Sequence, residues 1–200
     1  AVQLLYRYAT EPIKPDVINF VPHGAPSVFL DAAFAAIRNG GRCSWTCTDT
    51  ACLAGTHVGK CFTKYGGLPW HSRCDHEFGL RLALSTLATH AARHHKYVTP
   101  LVCFHTDFYV RLFVQVRCSD KLATLSALDE ALVFTCGSCG SFFINPLGTN
   151  KNGVKPAHRT LPATTCVHCA PRSPSTGPSG SSTSATAPSS KRCSTSMRPT

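Results

Sequence analysis

The strongest chemical signal in this chain is a double pair of cysteines, Cys136-x-x-Cys139 and Cys166-x-x-Cys169. Two thiolates spaced this way can hold an ion on one tight knuckle. Two knuckles complete a tetrahedral four-cysteine zinc site, structural because all four positions are filled. The 26 residues between the pairs exceed the usual spacing, a length that a loop absorbs. Redox-active or inert thiols are the other readings of the same pattern, and His158 and His168 are alternative ligands.

A second signal is the turn Pro22-His23-Gly24, which closes the apolar run Val17–Val21. In α/β sheets, ligands sit beyond the carboxyl ends of the strands. His23 offers an imidazole for acid–base work, although a lone turn histidine is more often merely exposed. The turn itself carries no acid and no nucleophile. Asp49 ends the next apolar run and is placed to face the same cleft. Asp107 lies in a hairpin turn, where Asp commonly serves local backbone bonds. "HEFGLRL" (76–82) lacks the second histidine that a metalloprotease helix needs. "YVRLFVQVR" (109–117) mixes arginine with aromatic residues, which suits nucleotide stacking or phosphate binding and equally a solvated strand face.

The elements that must position these residues follow from periodicity. Val17–Val21 reads as a buried strand, and Pro26 with Ser27 as N-cap opens a helix. Leu30, Ala33, Phe34 and Ile37 form its apolar stripe, and Gly40–Gly41 close it. "RCSWTCTD" (42–49) is the next strand, so the unit is strand–helix–strand with a parallel pair. Residues 50–75 read as a long loop. A helix over 76–95 follows, with Leu80, Leu84, Leu87 and Ala91 as its stripe. Residues 98–106 and 109–118 form a hairpin, with Val110, Leu112, Val114 and Val116 sharing one face. A short helix is expected over 120–131, and "LVFTCGSCG" (132–140) leads into the first cysteine pair.

Composition sets the frame. At 200 residues and 43% hydrophobic, the chain can form one core-bearing domain with a small appendage. No run approaches the roughly 18–20 apolar residues that cross a bilayer, and the N-terminus lacks signal-peptide features. With no secretory signal, the 12 cysteines point to a reducing, intracellular compartment rather than a disulfide scaffold. Cys43, Cys47, Cys103 and Cys118 sit in apolar runs, where a thiol behaves as a small hydrophobe. The formal charge is +10; residues 1–150 carry 13 Lys/Arg against 10 acids, and residues 151–200 carry 7 Lys/Arg and no acid. Residues 171–200 are Ser/Thr/Pro-rich, with 22 of 30 positions Ser, Thr, Pro or Gly, and read as a disordered tail.

"FLDAAFAAIRNGG", "TCTDTACLAG", "KCFTKYGG", "HEFGLRL" and "DFYVRLFVQV" occur here in that order. Together they resemble the tRNA (guanine-26, N2)-dimethyltransferase family over roughly Asp16–Cys169. The resemblance implies an α/β chain. Residues 1–118 would be the C-terminal part of a Rossmann-like class I methyltransferase sheet with a closing antiparallel hairpin. Residues 119–170 would begin a zinc-containing, tRNA-binding domain, and 171–200 would be the tail. It implies S-adenosylmethionine as methyl donor, tRNA as partner, no membrane role, and a nuclear, cytoplasmic or mitochondrial setting. The family's turn reads D-P-F-G or D-P-Y-G, and its acid orients the target amine. Here Pro22, Gly24 and Pro26 match. Val21 stands in the acid's place, Asn19 stands where another Asp is frequent, and His23 replaces a base-stacking aromatic. The resemblance places the cofactor-binding loop and acid upstream of Ala1. Little or no turnover is therefore expected of this chain, and a zinc-stabilised, non-catalytic tRNA-binding remnant is the alternative.

Overall fold

A computed structural model describes residues 1–72, 74–136, 141–150, 154–156 and 192–196. Val2–Thr10 (α1) packs on the later helix Ser27–Ala36. Val17–Phe20 (β1) runs into the Pro22–Gly24 turn, and Ser27–Ala36 (α2) crosses over to Arg42–Cys47 (β2). β1 and β2 pair in parallel, Ile18 opposite Cys43 and Phe20 opposite Trp45, as the strand–helix–strand pattern requires. The stripe Leu30, Ala33, Phe34 and Ile37 is fully buried.

Both ends of α2 differ from expectation. Pro26 is the N-cap and no side chain caps the helix, so Ser27 is the first helical residue instead. The helix ends where Ile37 turns extended. Gly40 lies beyond it, in a turn whose amide donates to Val116 O of a distant strand. The last carbonyls of α2 are satisfied by a buried lysine: Lys96 Nζ donates to Ile37 O at 2.9 Å and also to Phe34 O. A cation suits a helix C-terminus.

Residues 50–75, expected as loop, hold two short helices, Thr50–Leu53 (α3) and Val58–Tyr65 (α4). Here glycine terminates helices rather than marking a loop. Gly66, at φ 71°, is the left-handed C-cap of α4. Asp75–Arg93 (α5) then packs on α2 and α3. Lys96–Thr106 (β3) and Tyr109–Cys118 (β4) form the expected hairpin. The four alternate residues Val110, Leu112, Val114 and Val116 are fully buried. Sheet order is β1-β2-β4-β3, with β4 antiparallel to both neighbours. β3 is an edge strand, which lets Pro100 sit in it, at a register shift between Pro100 and Val102. Of the cysteines read as small hydrophobes, Cys43 and Cys47 are buried, Cys103 is half-buried and Cys118 is exposed.

Asp120–Leu125 (α6) is shorter than expected. Its N-cap Ser119 accepts from the Leu122 amide, and the chain tightens into a 3-10 turn over Ser126–Asp129. Glu130–Thr135 (β5) pairs antiparallel with Phe142–Pro146 (β6), while Gly148–Asn150 (β7) pairs with Val154–Pro156 (β8). Within the tail read as disordered, Arg192–Ser196 (β9) lines the other edge of β5. These five residues contain no Pro or Gly, so nothing in them forbids pairing, and composition averaged over the tail hides them. Trp70, Phe78 and Val133 form a small second cluster, and Trp70 also meets Phe142 edge-on at 5.6 Å. No helix among the described residues is long and apolar enough to cross a membrane.

Candidate functional site

The Pro22–Gly24 turn stands at the carboxyl end of β1, and two hydrogen bonds staple it to the end of β2. The Gly24 amide donates to Thr48 Oγ1 at 2.8 Å, and the Thr48 amide donates back to Gly24 O at 3.3 Å. Gly24 has φ 110°, a conformation that side chains rarely adopt, so glycine is required there. Val21 and His23 are exposed on this turn, and Pro22 is half-buried. Val21 offers only methyl groups to whatever the turn meets.

Below the turn the floor is built of stacked aromatic rings. Phe20 stacks on Trp45 at 4.6 Å and 11°, and on Phe29 at 5.6 Å. On the opposite face of the sheet, Arg111 donates to Asn19 Oδ1 at 3.1 Å and to Thr46 Oγ1, and lies 5.0 Å from the Phe113 ring centre. One guanidinium thus ties β1, β2 and β4 together. Asn19 accepts from Arg111 and so has a cross-sheet partner.

Asp49 is engaged as well. Lys64 Nζ of α4 donates to Asp49 Oδ2 at 2.6 Å, and this bond raises the lysine pKa. The pair sits one residue past Thr48, so α4 is docked beside the turn. Beneath it, burial pushes the Cys47 thiol up to about 12, and the Tyr65 hydroxyl faces its sulfur. Burial also raises the Cys52 thiol. None of these groups is a thiolate nucleophile at neutral pH. What the site can do is position a bound group on a fixed turn.

The β3–β4 hairpin tip, with Asp107 in it, reaches the same edge of the sheet, because Val110 pairs with Cys47. There His76, at the start of α5, stacks on His105 at 4.0 Å; burial is the main cause of the lowered His105 pKa. Phe108 is exposed at the tip.

Of the four cysteines read as a metal site, Cys139, Cys166 and Cys169 lie outside the described residues, as do His158 and His168. Cys136 follows β5 directly, and its amide donates to Ser141 O at 2.8 Å, closing the end of the β5–β6 hairpin. Among the described residues, no group of three His, Cys, Asp or Glu side chains is placed to hold a metal ion.

Sequence reading missed Thr48, Lys64 and the role of Arg111. Thr48 and Gly24 are 24 positions apart, a separation that no local pattern signals. Arg111 does stand out in sequence, as a cation set between Val110 and Leu112 in the apolar alternation of β4.

With this geometry in view, comparison with known proteins is direct. The structure matches Trm1 from Pyrococcus horikoshii, solved as a complex with S-adenosyl-L-methionine, at a TM-score of 0.67 and 24% identity, over 78% of this chain and 42% of that one. The chain therefore has an α/β fold with a mixed sheet like that of the Trm1 methyltransferase. A family model for N2,N2-dimethylguanosine tRNA methyltransferase matches residues 1–179. The chain belongs to that family. It is 39% identical over 184 residues to tRNA (guanine(26)-N(2))-dimethyltransferase of Mus musculus, covering 89% of this chain and 28% of that protein. It is 40% identical over 147 residues to the mitochondrial tRNA (guanine(26)-N(2))-dimethyltransferase of Saccharomyces cerevisiae, covering 72% of this chain and 26% of that one. The chain thus spans between a quarter and a third of the length of these relatives.

Proposed function

We propose that this chain serves methyl transfer from S-adenosylmethionine to the exocyclic amine of a guanine in tRNA, position 26 by family, and supplies the turn that receives the target base. The observation that carries this reading is the family match over residues 1–179, which spans the stapled turn at the carboxyl end of β1.

An exocyclic amine attacks well only when an acceptor orients its lone pair toward the methyl group. An aspartate at position 21 would do this. Val21 accepts nothing, so orientation falls to the turn's backbone and to stacking against His23. Val21 accordingly predicts slow methyl transfer at this turn. Incubation with unmodified tRNA and methyl-labelled S-adenosylmethionine should give little label in N2-methylguanosine. Incorporation at the rate of the mouse relative would overturn the role given to Val21.

The two cysteine pairs support a structural zinc site as a further part of this proposal. Cys136 closes a hairpin end that brackets Cys139 in sequence, which fits a ligand knuckle. Cys136, Cys139, Cys166 and Cys169 would hold the ion, whose contribution is to cross-link the chain. One zinc per chain by elemental analysis, lost together with β5–β6 amide protection on chelation, supports the site. Metal-free protein with unchanged protection removes it.

A further inference from the structure

Between Asp49 and Asp75 the chain runs for 25 residues with no acid, while carrying Lys60, Lys64 and Arg73 among its cations. The structure places the α3–α4 part of this segment at the carboxyl edge of the sheet, beside the stapled turn. Lys64 binds Asp49, so Asp49 at the base of α4 is already neutralised. Lys60, one helical turn before Lys64, is exposed. Phe62 and Val58, two positions after and before it, are exposed on the other flank of the helix, at 56% and 47%, while Cys61 and Tyr65 on the inner face are buried. A cation and an exposed aromatic side chain on the two flanks of one exposed helix offer surface of the kind that single-stranded or looped RNA uses, a phosphate on the cation and a base or sugar on the ring.

Resting on the function proposed above, we propose that α4 is an RNA-contacting lip. Lys60 meets a backbone phosphate next to the target nucleotide, and Phe62, across the helix from it, packs against a sugar or base further along the strand. The occupant is RNA because the segment is acid-free and continuous with the turn that receives the base. An RNA whose guanine enters that turn must lay its backbone across the neighbouring surface. The Lys64–Asp49 pair holds α4 in place, and Lys60 makes the contact.

The test is binding of an unmodified tRNA transcript to the 200-residue chain, measured from about 50 to 200 mM salt, where phosphate contacts dominate affinity. Lys60→Ala should weaken binding roughly three- to tenfold and reduce the salt slope by about one. Lys60→Glu should weaken it further, and Lys60→Arg should restore it. Phe62→Ala should weaken binding with little change in slope. Both side chains are exposed, so melting temperatures should match the parent. If the parent binds and these variants bind equally well with the same slope, α4 is not the lip, and the proposed function stands. If the parent does not bind tRNA at all, this inference falls together with that reading. If Phe62→Ala or Lys60→Glu instead converts a dimer to a monomer with tRNA binding intact, α4 is a contact between copies and the RNA assignment is wrong.

Discussion

Replacing Thr48 by valine isolates the staple that holds the candidate turn. Valine matches threonine in shape but removes the oxygen that accepts the Gly24 amide at 2.8 Å. A neutral hydrogen bond contributes about 0.5–1.5 kcal/mol net. Gly24 is half-buried, so water can replace part of what is lost, and about 1 kcal/mol is the expected destabilisation. For a chain of this size that lowers the melting temperature by about 2–4 °C. The local effect is more telling. The Gly24 amide should exchange with solvent roughly fivefold faster, as about 1 kcal/mol of lost protection implies. Amides of β4, held by the sheet, should change only by the global shift. Thr48→Ser keeps the acceptor and should preserve Gly24 protection. The measurement is hydrogen exchange resolved at Gly24. Unchanged protection in Thr48→Val, or equal loss in Thr48→Ser, would refute the staple.

Two other outcomes follow from the core. The Cys43 and Cys47 thiols ionise near 9 when unfolded and are pushed up to about 12 by burial in the fold. The folded state therefore keeps protons that the unfolded chain releases, and stability falls as pH rises above 9. At about pH 10 the loss is about 1.4 kcal/mol per thiol, offset in part by Lys96, whose pKa burial lowers. Urea midpoints at about pH 8 and about pH 10 should show this fall, and Cys43→Ala with Cys47→Ala should make it shallower, leaving the part due to Cys52, Cys103 and Tyr65, which burial also raises. Lys96→Met strips the donor from Phe34 O and Ile37 O. It should cost about 1–3 kcal/mol of stability and speed exchange in the last turn of α2, whereas an unchanged urea midpoint would deny the cap.

The sheet was legible because its residues obey simple periods. Val110 to Val116 alternate with polar and aromatic neighbours, so strand, face and hairpin follow at once. Leu30, Ala33, Phe34 and Ile37 do the same for α2. The segment after Asp49 was not legible. Its glycines look like loop residues until Gly66 is seen to cap a helix whose buried side is only Cys61 and Tyr65. β9 was hidden in a low-complexity tail, because its pairing depends on β5, a strand far earlier in the chain. The Pro22–Gly24 turn after β1 was visible as a Pro-x-Gly pattern. What fixes the turn, Thr48 just past β2 and the Lys64–Asp49 pair beside it, is tertiary and has no local signature.

The central claim is that this turn receives the target guanine and that Val21 has removed its orienting acceptor. The most direct measurement grafts residues 1–179 into the mouse relative in place of the matching segment, with and without Val21→Asp. Initial rates of tRNA guanine-N2 methylation and tRNA affinity are then compared. Loss of one preorganised polar contact at a reacting centre costs about 10²–10³-fold in rate. The graft with Val21 should be slower than the parent by about that factor at similar tRNA affinity, and Val21→Asp should recover most of it. A graft that methylates as fast as the parent, or one that Val21→Asp leaves equally slow while tRNA still binds, would contradict the account.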